Sequence, residues 1–329
     1  MKTTAYLVSM AFLLISITAE SVELAWPDKT HYKYAEVKGK KIFYRESGES
    51  NPETIVLLHG YPSSSHTYRE LIPLLSGRYH VIAPDNLGSG LSDKPEVTAF
   101  DYSFDVLAEY LYDLLKLKNV DSFVLYMQDF GAPVGYRLMM KDPTRIRAII
   151  AQNANAYLEG IPPAKQNFFN NAQLDKSPEN VARLYDFTSP QAVKHKQYLR
   201  DVQENLDVMS PDAWIYDGYF LSTEQERRIQ VELFQDYKTN LEAYPKWQDF
   251  LRKNQFPTLI VWGEKDPVFT AEGAKAYLRD VPNAEIHLLE AGHFAVEEKA
   301  VEVAKYITSF LGYEGVGGTI IKQKRAVKE

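Results

Sequence analysis

Short apolar runs that alternate with helical stretches constrain this chain more than any other feature. Thr54–Leu58, Tyr79–Ala83, the segment from Ser122 to Gln128, Ile146–Ala151, Thr258–Trp262 and Glu285–Leu289 are rich in branched and aromatic residues. Each is too short for a buried helix and lacks the polar alternation of a strand with one face in water. Between them, Phe104–Leu117 places its apolar residues at helical period, and Ala271–Arg279 and Val301–Leu311 read the same way. Strands apolar on both faces, each followed by a helix, predict a mostly parallel sheet covered on both sides. Tyr32–Val37 and Lys41–Tyr44, joined by Lys38-Gly39-Lys40, read as a leading pair of strands. The expected α/β core therefore takes residues 22–153 and 257–312.

Residues 154–256 break this rhythm. No strand–helix alternation occurs there, but Ser177-Pro178, Ser189-Pro190 and Ser210-Pro211 each offer a serine cap followed by proline at the first helical position. Ser222-Thr-Glu-Gln225 adds a capping-box pattern. The segment is expected to be a helical cap inserted into the sheet domain. Its many aromatics, among them Tyr216, Tyr219, Phe220 and Phe234, offer material for an apolar pocket.

The ends of the chain read differently. Lys2 followed by the uncharged stretch Ala5–Ala19 has the form of a secretory signal over residues 1–21. That stretch is shorter than the roughly 20 residues a membrane span needs, so no stable insertion is expected after cleavage. Cleavage would export the protein to the periplasm or beyond; without it the chain would stay cytoplasmic. Residues 313–329 carry Gly315, Gly317 and Gly318, then Lys322, Lys324, Arg325 and Lys328, and read as a flexible basic tail. The chain has no cysteine, which excludes disulfides, thiolate nucleophiles and cysteine-held metals. A net charge of −7 gives no reason to expect nucleic acid as a partner.

Chemistry concentrates at strand ends. The run Ser122-Phe-Val-Leu-Tyr-Met-Gln ends at Asp129, Phe130 and Gly131 follow, and Pro133 opens a helical stretch to about Lys141. This is the strand–turn–helix context of a nucleophile elbow, with a carboxylate where a serine would serve acyl transfer. A carboxylate attacks saturated carbon and leaves an ester on the enzyme. Asp266 follows the strand at 258–262, and His293 follows the strand at 285–289 in Gly292-His293. Ligands bind at such carboxyl ends in open α/β sheets, and an imidazole acting as base needs an orienting carboxylate. In His59-Gly60-Tyr61-Pro62, Gly60 permits close backbone approach, and the Tyr61 and Phe130 amides are candidates for an oxyanion hole. Asp85 to Ser92 has glycines but lacks the Lys-Ser/Thr of a phosphate loop, and reads as a structural loop.

His59-Gly-x-Pro62, Pro84-Asp-x-x-Gly88-x-Gly90-x-Ser92, Asp129-x-Gly131, Gly263-x-x-Asp266 and Gly292-His293 together resemble the α/β-hydrolase superfamily, in its epoxide hydrolase and haloalkane dehalogenase branch. The likeness runs from about Tyr32 to Leu311. It implies Asp129 as nucleophile, Asp266 as charge-relay acid, His293 as base, and no metal or organic cofactor. Epoxide hydrolases protonate the opening oxygen with cap tyrosines, and Tyr237 in Phe234-Gln-Asp-Tyr237 resembles one of them. No tyrosine matches the other: Phe168 and Phe169 lie near its place, with Tyr157, Tyr185 and Tyr219 as substitutes. Dehalogenases hold halide with a tryptophan after the nucleophile and often an asparagine in the early loop; here Phe130 and Tyr61 stand there. Gln128 stands where a histidine usually precedes the nucleophile. The expectation is an epoxide hydrolase acting on a small apolar substrate, with His59, Tyr157 and Tyr219 as candidate substrate contacts. A haloalkane dehalogenase is the alternative, and a non-catalytic binding protein on the same fold is a third reading.

Overall fold

A computed structural model describes residues 28–312 except 204. The expected signal at 1–21 and basic tail at 313–329 lie outside the described residues. Eight strands form one sheet in the order β1-β2-β4-β3-β5-β6-β7-β8. They are β1 (His31–Val37), β2 (Lys40–Ser47), β3 (Thr54–Leu58), β4 (His80–Pro84), β5 (Phe123–Gln128), β6 (Ile146–Gln152), β7 (Thr258–Gly263) and β8 (Glu285–Leu289). The pairs β1–β2 and β2–β4 are antiparallel; from β4 to β8 every pair is parallel.

Alternation along the strands divides the core. Leu125 and Met127 of β5 join Val56 and Leu58 of β3 beneath the helices Phe104–Leu117 and Gly131–Lys141. Val124 and Tyr126 join Ile55 and Leu57 on the other face, against Leu71–Ser76 and Ala300–Phe310. Both faces are dry, which is why these strands read as continuous apolar runs.

Between β6 and β7 the described residues form helices and no strand, as the loss of rhythm predicts. Ser177, Ser189 and Ser210 each cap a helix, accepting from the amides of Asn180, Ala192 and Asp212. The long helix Glu224–Asn254 begins one residue later than the box read from Ser222: Thr223 caps it, and Thr223 Oγ1 pairs with Glu226 Oε2 at 2.7 Å. Glutamate suits the first turn of a helix better than Gln225 because its charge opposes the helix dipole. This helix docks on the core where Tyr136 stacks on Trp247 with centroids 4.7 Å apart. Arg137 reaches across to Asn240 at 2.8 Å and Thr239 at 3.1 Å. Among the described residues, no helix is long and apolar enough to cross a membrane.

Candidate active site

The turn after β5 presents Asp129 in the left-handed region, at φ 49°. A side chain rarely adopts that conformation without compensation, and the surroundings provide it. The Tyr61 amide donates to Asp129 Oδ1 at 2.6 Å, and the Ala132 amide donates to the Asp129 carbonyl at 2.9 Å. Two glycines make room. A Cβ on Gly60 would stand 2.3 Å from Asp129 Cβ, and one on Gly131 would stand 2.3 Å from the Leu58 carbonyl oxygen. The helix starts at Gly131, two residues before Pro133, with Phe130 as its cap residue.

His293 faces the second Asp129 oxygen: Nε2 lies 3.5 Å from Oδ2. Its other ring nitrogen, Nδ1, lies 2.6 Å from Asp266 Oδ2. Burial alone would push the imidazolium down; the Asp266 and Asp129 carboxylates outweigh it and hold His293 up to about 10. Burial would likewise raise Asp266, but the His293 charge and the hydrogen bonds it receives hold it below the ordinary carboxylate range. Those bonds come from the Val268 amide at 2.7 Å and from Asn153 Nδ2 at 2.9 Å. The resting site thus pairs a charged imidazole with two carboxylates.

Two supporting residues escape the sequence reading. Asn153 directly follows β6 at φ 45°, and besides donating to Asp266 it accepts the Gly263 amide at 2.9 Å. Its signal was the polar pair Gln152-Asn153 at a strand end; Gln152 in turn donates to the His293 carbonyl at 3.0 Å. Asp201, on the four-residue cap helix Leu199–Val202, accepts the His293 amide at 3.0 Å and is gripped by the Arg200 guanidinium. Nothing local in sequence marks it. On the core side Glu298 accepts the neighbouring Gly292 amide at 2.8 Å.

Above Asp129 and His293 lies a cavity of about 410 Å³, mouth included. Its aromatic walls are Tyr61, Phe130, Phe168, Phe169, Phe187 and Phe234. The other expected contacts fall elsewhere. His59 is buried beneath the site, its Nδ1 3.0 Å from the Gly60 carbonyl and its Nε2 accepting the Asn86 amide at 3.0 Å, so it ties two loops together. Tyr157 packs its ring against Tyr277 at 4.8 Å, outside the cavity. Tyr219 is 72 % exposed and only flanks Phe220. These three are corrected to structural or surface positions: helix and strand direction, which spacing alone does not fix, turns them away. The Tyr61 hydroxyl is also engaged, donating to the Phe187 carbonyl at 3.2 Å.

Tyr237 stands one layer back. Its ring stacks on Phe169 with centroids 4.0 Å apart and lies 5.3 Å from Phe130, both of which line the cavity. Its hydroxyl lies 3.5 Å from that of Tyr244, a long contact. Burial, the Tyr244 hydroxyl and the Asp129 charge all push the Tyr237 phenol up. Gln128 is fully buried and its carboxamide makes no hydrogen bond among the described residues. The loop from Asp85 is structural as expected: Asp85 accepts the Ser65 amide at 2.7 Å and the Leu91 amide at 2.8 Å.

Comparison with known proteins agrees with this fold. The sequence profile of the alpha/beta hydrolase fold matches residues 53–300. An uncharacterized hydrolase of Saccharomyces cerevisiae, YNR064C, is 39% identical over 276 residues, covering 82% of this chain and 93% of that one. A haloalkane dehalogenase of Psychrobacter cryohalolentis is 25% identical over 276 residues, covering 82% and 87%. The solved epoxide hydrolase CorEH superposes with a TM-score of 0.68 at 20% identity, covering 86% and 99%. With its sheet order, elbow and profile match in agreement, the chain belongs to the alpha/beta hydrolase fold family.

Proposed function

We propose that this protein hydrolyses small epoxides through an ester formed on Asp129. One observation carries the reading: the Asp129 carboxylate lies between the Tyr61 amide, 2.6 Å from Oδ1, and His293 Nε2, 3.5 Å from Oδ2. The Oδ2 lone pair attacks an epoxide carbon as the carbon–oxygen bond breaks. Tyr237 is the proposed donor to the opened oxygen; its ring stands behind Phe130 and Phe169, so those rings must give way for its hydroxyl to reach the substrate, and its tie there is the weak 3.5 Å contact to the Tyr244 hydroxyl. Esterification removes one of the two carboxylates that hold the proton on His293. The proton His293 gives up replaces the one Tyr237 supplied, leaving a neutral imidazole. Oriented by Asp266, it takes a proton from water, whose oxygen attacks the ester carbonyl carbon. Negative charge gathers on Oδ1, where the Tyr61 amide already points and the Phe130 amide is the second candidate donor. Collapse releases the diol and restores the Asp129–His293 ion pair.

Epoxides are favoured over alkyl halides by what lines the cavity. A departing halide is best held by N–H donors beside the nucleophile; among the described lining residues no indole stands there, the Tyr61 hydroxyl is already bonded to Phe187, and the N–H donors Lys165 and Gln197 come from the cap.

The test is intact-protein mass after mixing His293→Gln with styrene oxide. A gain of one substrate mass, mapped to Asp129, is expected. No adduct with a substrate that wild type turns over, or an adduct elsewhere, overturns the mechanism. In single-turnover kinetics Tyr237→Phe should slow alkylation by about 10²–10⁴-fold and spare ester hydrolysis. An unchanged alkylation rate returns Tyr237 to cap packing. Against size-matched bromides, kcat/KM should favour the epoxide by at least about tenfold, roughly 1.4 kcal/mol.

A further inference from the structure

Two polar cavity-lining side chains from the cap have no part in the mechanism above. Lys165 lies on the helix Pro163–Leu174, where Phe168 and Phe169 follow it by three and four residues. That spacing puts all three on one helix face, and all three line the cavity. Gln197 comes from a π-helical turn, Lys194–Tyr198, on another part of the cap. Such turns recur at functional sites. Gln197 is only 6 % exposed, lines the cavity, and its carboxamide makes no hydrogen bond to a described residue. Between its aromatic walls, above Asp129 and His293, the pocket thus receives one ammonium and one amide from its roof.

The electrostatics suit an anion at this wall. Burial and the Arg200 charge push the Lys165 ammonium down, and the Asp266 carboxylate only partly offsets them. The first turn of the Lys165 helix carries no acidic residue, so the positive end of its dipole is not neutralised within the helix. The half-buried ammonium has lost part of its hydration, which a bound anion would offset. A carboxylate would, by accepting from the ammonium and from the Gln197 amide nitrogen.

We propose that Lys165 and Gln197 form a carboxylate subsite in the cap wall, so that the preferred substrates are small epoxy acids whose apolar body lies among Phe168, Phe169 and Phe234. The proposal rests on the Asp129 reading for the reaction, but not for the binding. The acid group would be held in the roof while the epoxide carbon reaches the floor.

The experiment measures binding without turnover. Phenylacetate and its neutral counterpart phenylacetamide are titrated calorimetrically into Asp129→Asn. Phenylacetate should bind at least about tenfold more tightly. Adding Lys165→Met should abolish that preference and leave phenylacetamide within about twofold; Lys165→Gln serves if the methionine variant folds poorly. Gln197→Leu should weaken phenylacetate by a smaller factor. Equal binding of acid and amide, or a preference that survives loss of Lys165, overturns the subsite. So does binding of bromide without phenylacetate, which would assign the pair to a leaving group. Because no bond is made or broken, failure here and failure to trap the Asp129 ester are separate results.

Discussion

The floor and the roof of the cavity are built on different physics. The floor comes from strand ends of the sheet, and directional bonds fix it: Asp129 by the Tyr61 amide, His293 by Asp266, Asp266 by Asn153 and Val268. The roof comes from the cap and is mostly rings against rings. Phe168 lies 5.6 Å from Phe169, 5.4 Å from Phe187 and 5.8 Å from Phe234, centroid to centroid. Ring contacts tolerate small shifts that a hydrogen-bonded carboxylate does not. A reaction must be aimed, whereas a substrate body need only be enclosed. On the proposed reading, the floor would carry the chemistry and the roof the selection.

This contrast is broken most severely at Asp266. Asp266→Asn keeps the shape but reverses the hydrogen bond that fixes the imidazole, and ester hydrolysis should fall by about 10⁴-fold. Alkylation should suffer less, so the ester should accumulate; stopped-flow and quenched mass measurements separate the two steps. Equal loss in both would mean that Asp266 only maintains the fold.

A smaller effect is expected where the roof touches the floor. Asp201→Ala removes the acceptor of the His293 amide and leaves Arg200 unpaired. A fall in kcat of roughly tenfold, about 1.4 kcal/mol, is expected, with KM changed less. If kcat stays at the wild-type value, the two walls work independently.

The smallest effect concerns pH. Burial, with Asp201 nearby, pushes the Glu298 carboxyl up to about 7, against the opposing Gly292 amide. Between its ordinary value and about 7 the folded protein holds a proton that the unfolded chain has released. Stability from this group is therefore greatest at the acid side and declines as pH rises through that window. Glu298→Gln should flatten that decline. Melting curves at about pH 5 and about pH 8 for both proteins check it; parallel changes in Tm would assign the slope to other groups.

Legibility in the sequence follows the same division. Thr54–Leu58, Glu285–Leu289 and Phe104–Leu117 are found at their predicted bounds, because apolar period and local caps determine them. That Asp129, Asp266 and His293 come together was legible because each follows a strand, and strand ends converge in a parallel sheet. Cap residues have no such rule. Tyr219 and Phe234 looked alike as cap aromatics, yet one is exposed and the other lines the cavity. Which face of a cap helix turns inward depends on packing against partners a hundred residues away, as Arg137 with Asn240 illustrates. Lys165, Gln197 and Asp201 were invisible for the same reason.

The hydrogen bond from the His293 amide to Asp201 ties timing to architecture. A shift of Leu199–Val202 would break that bond, so the position of the loop that carries His293 depends on where the cap rests, and on the proposed reading a change in the cap would be felt as a change in rate rather than in binding alone.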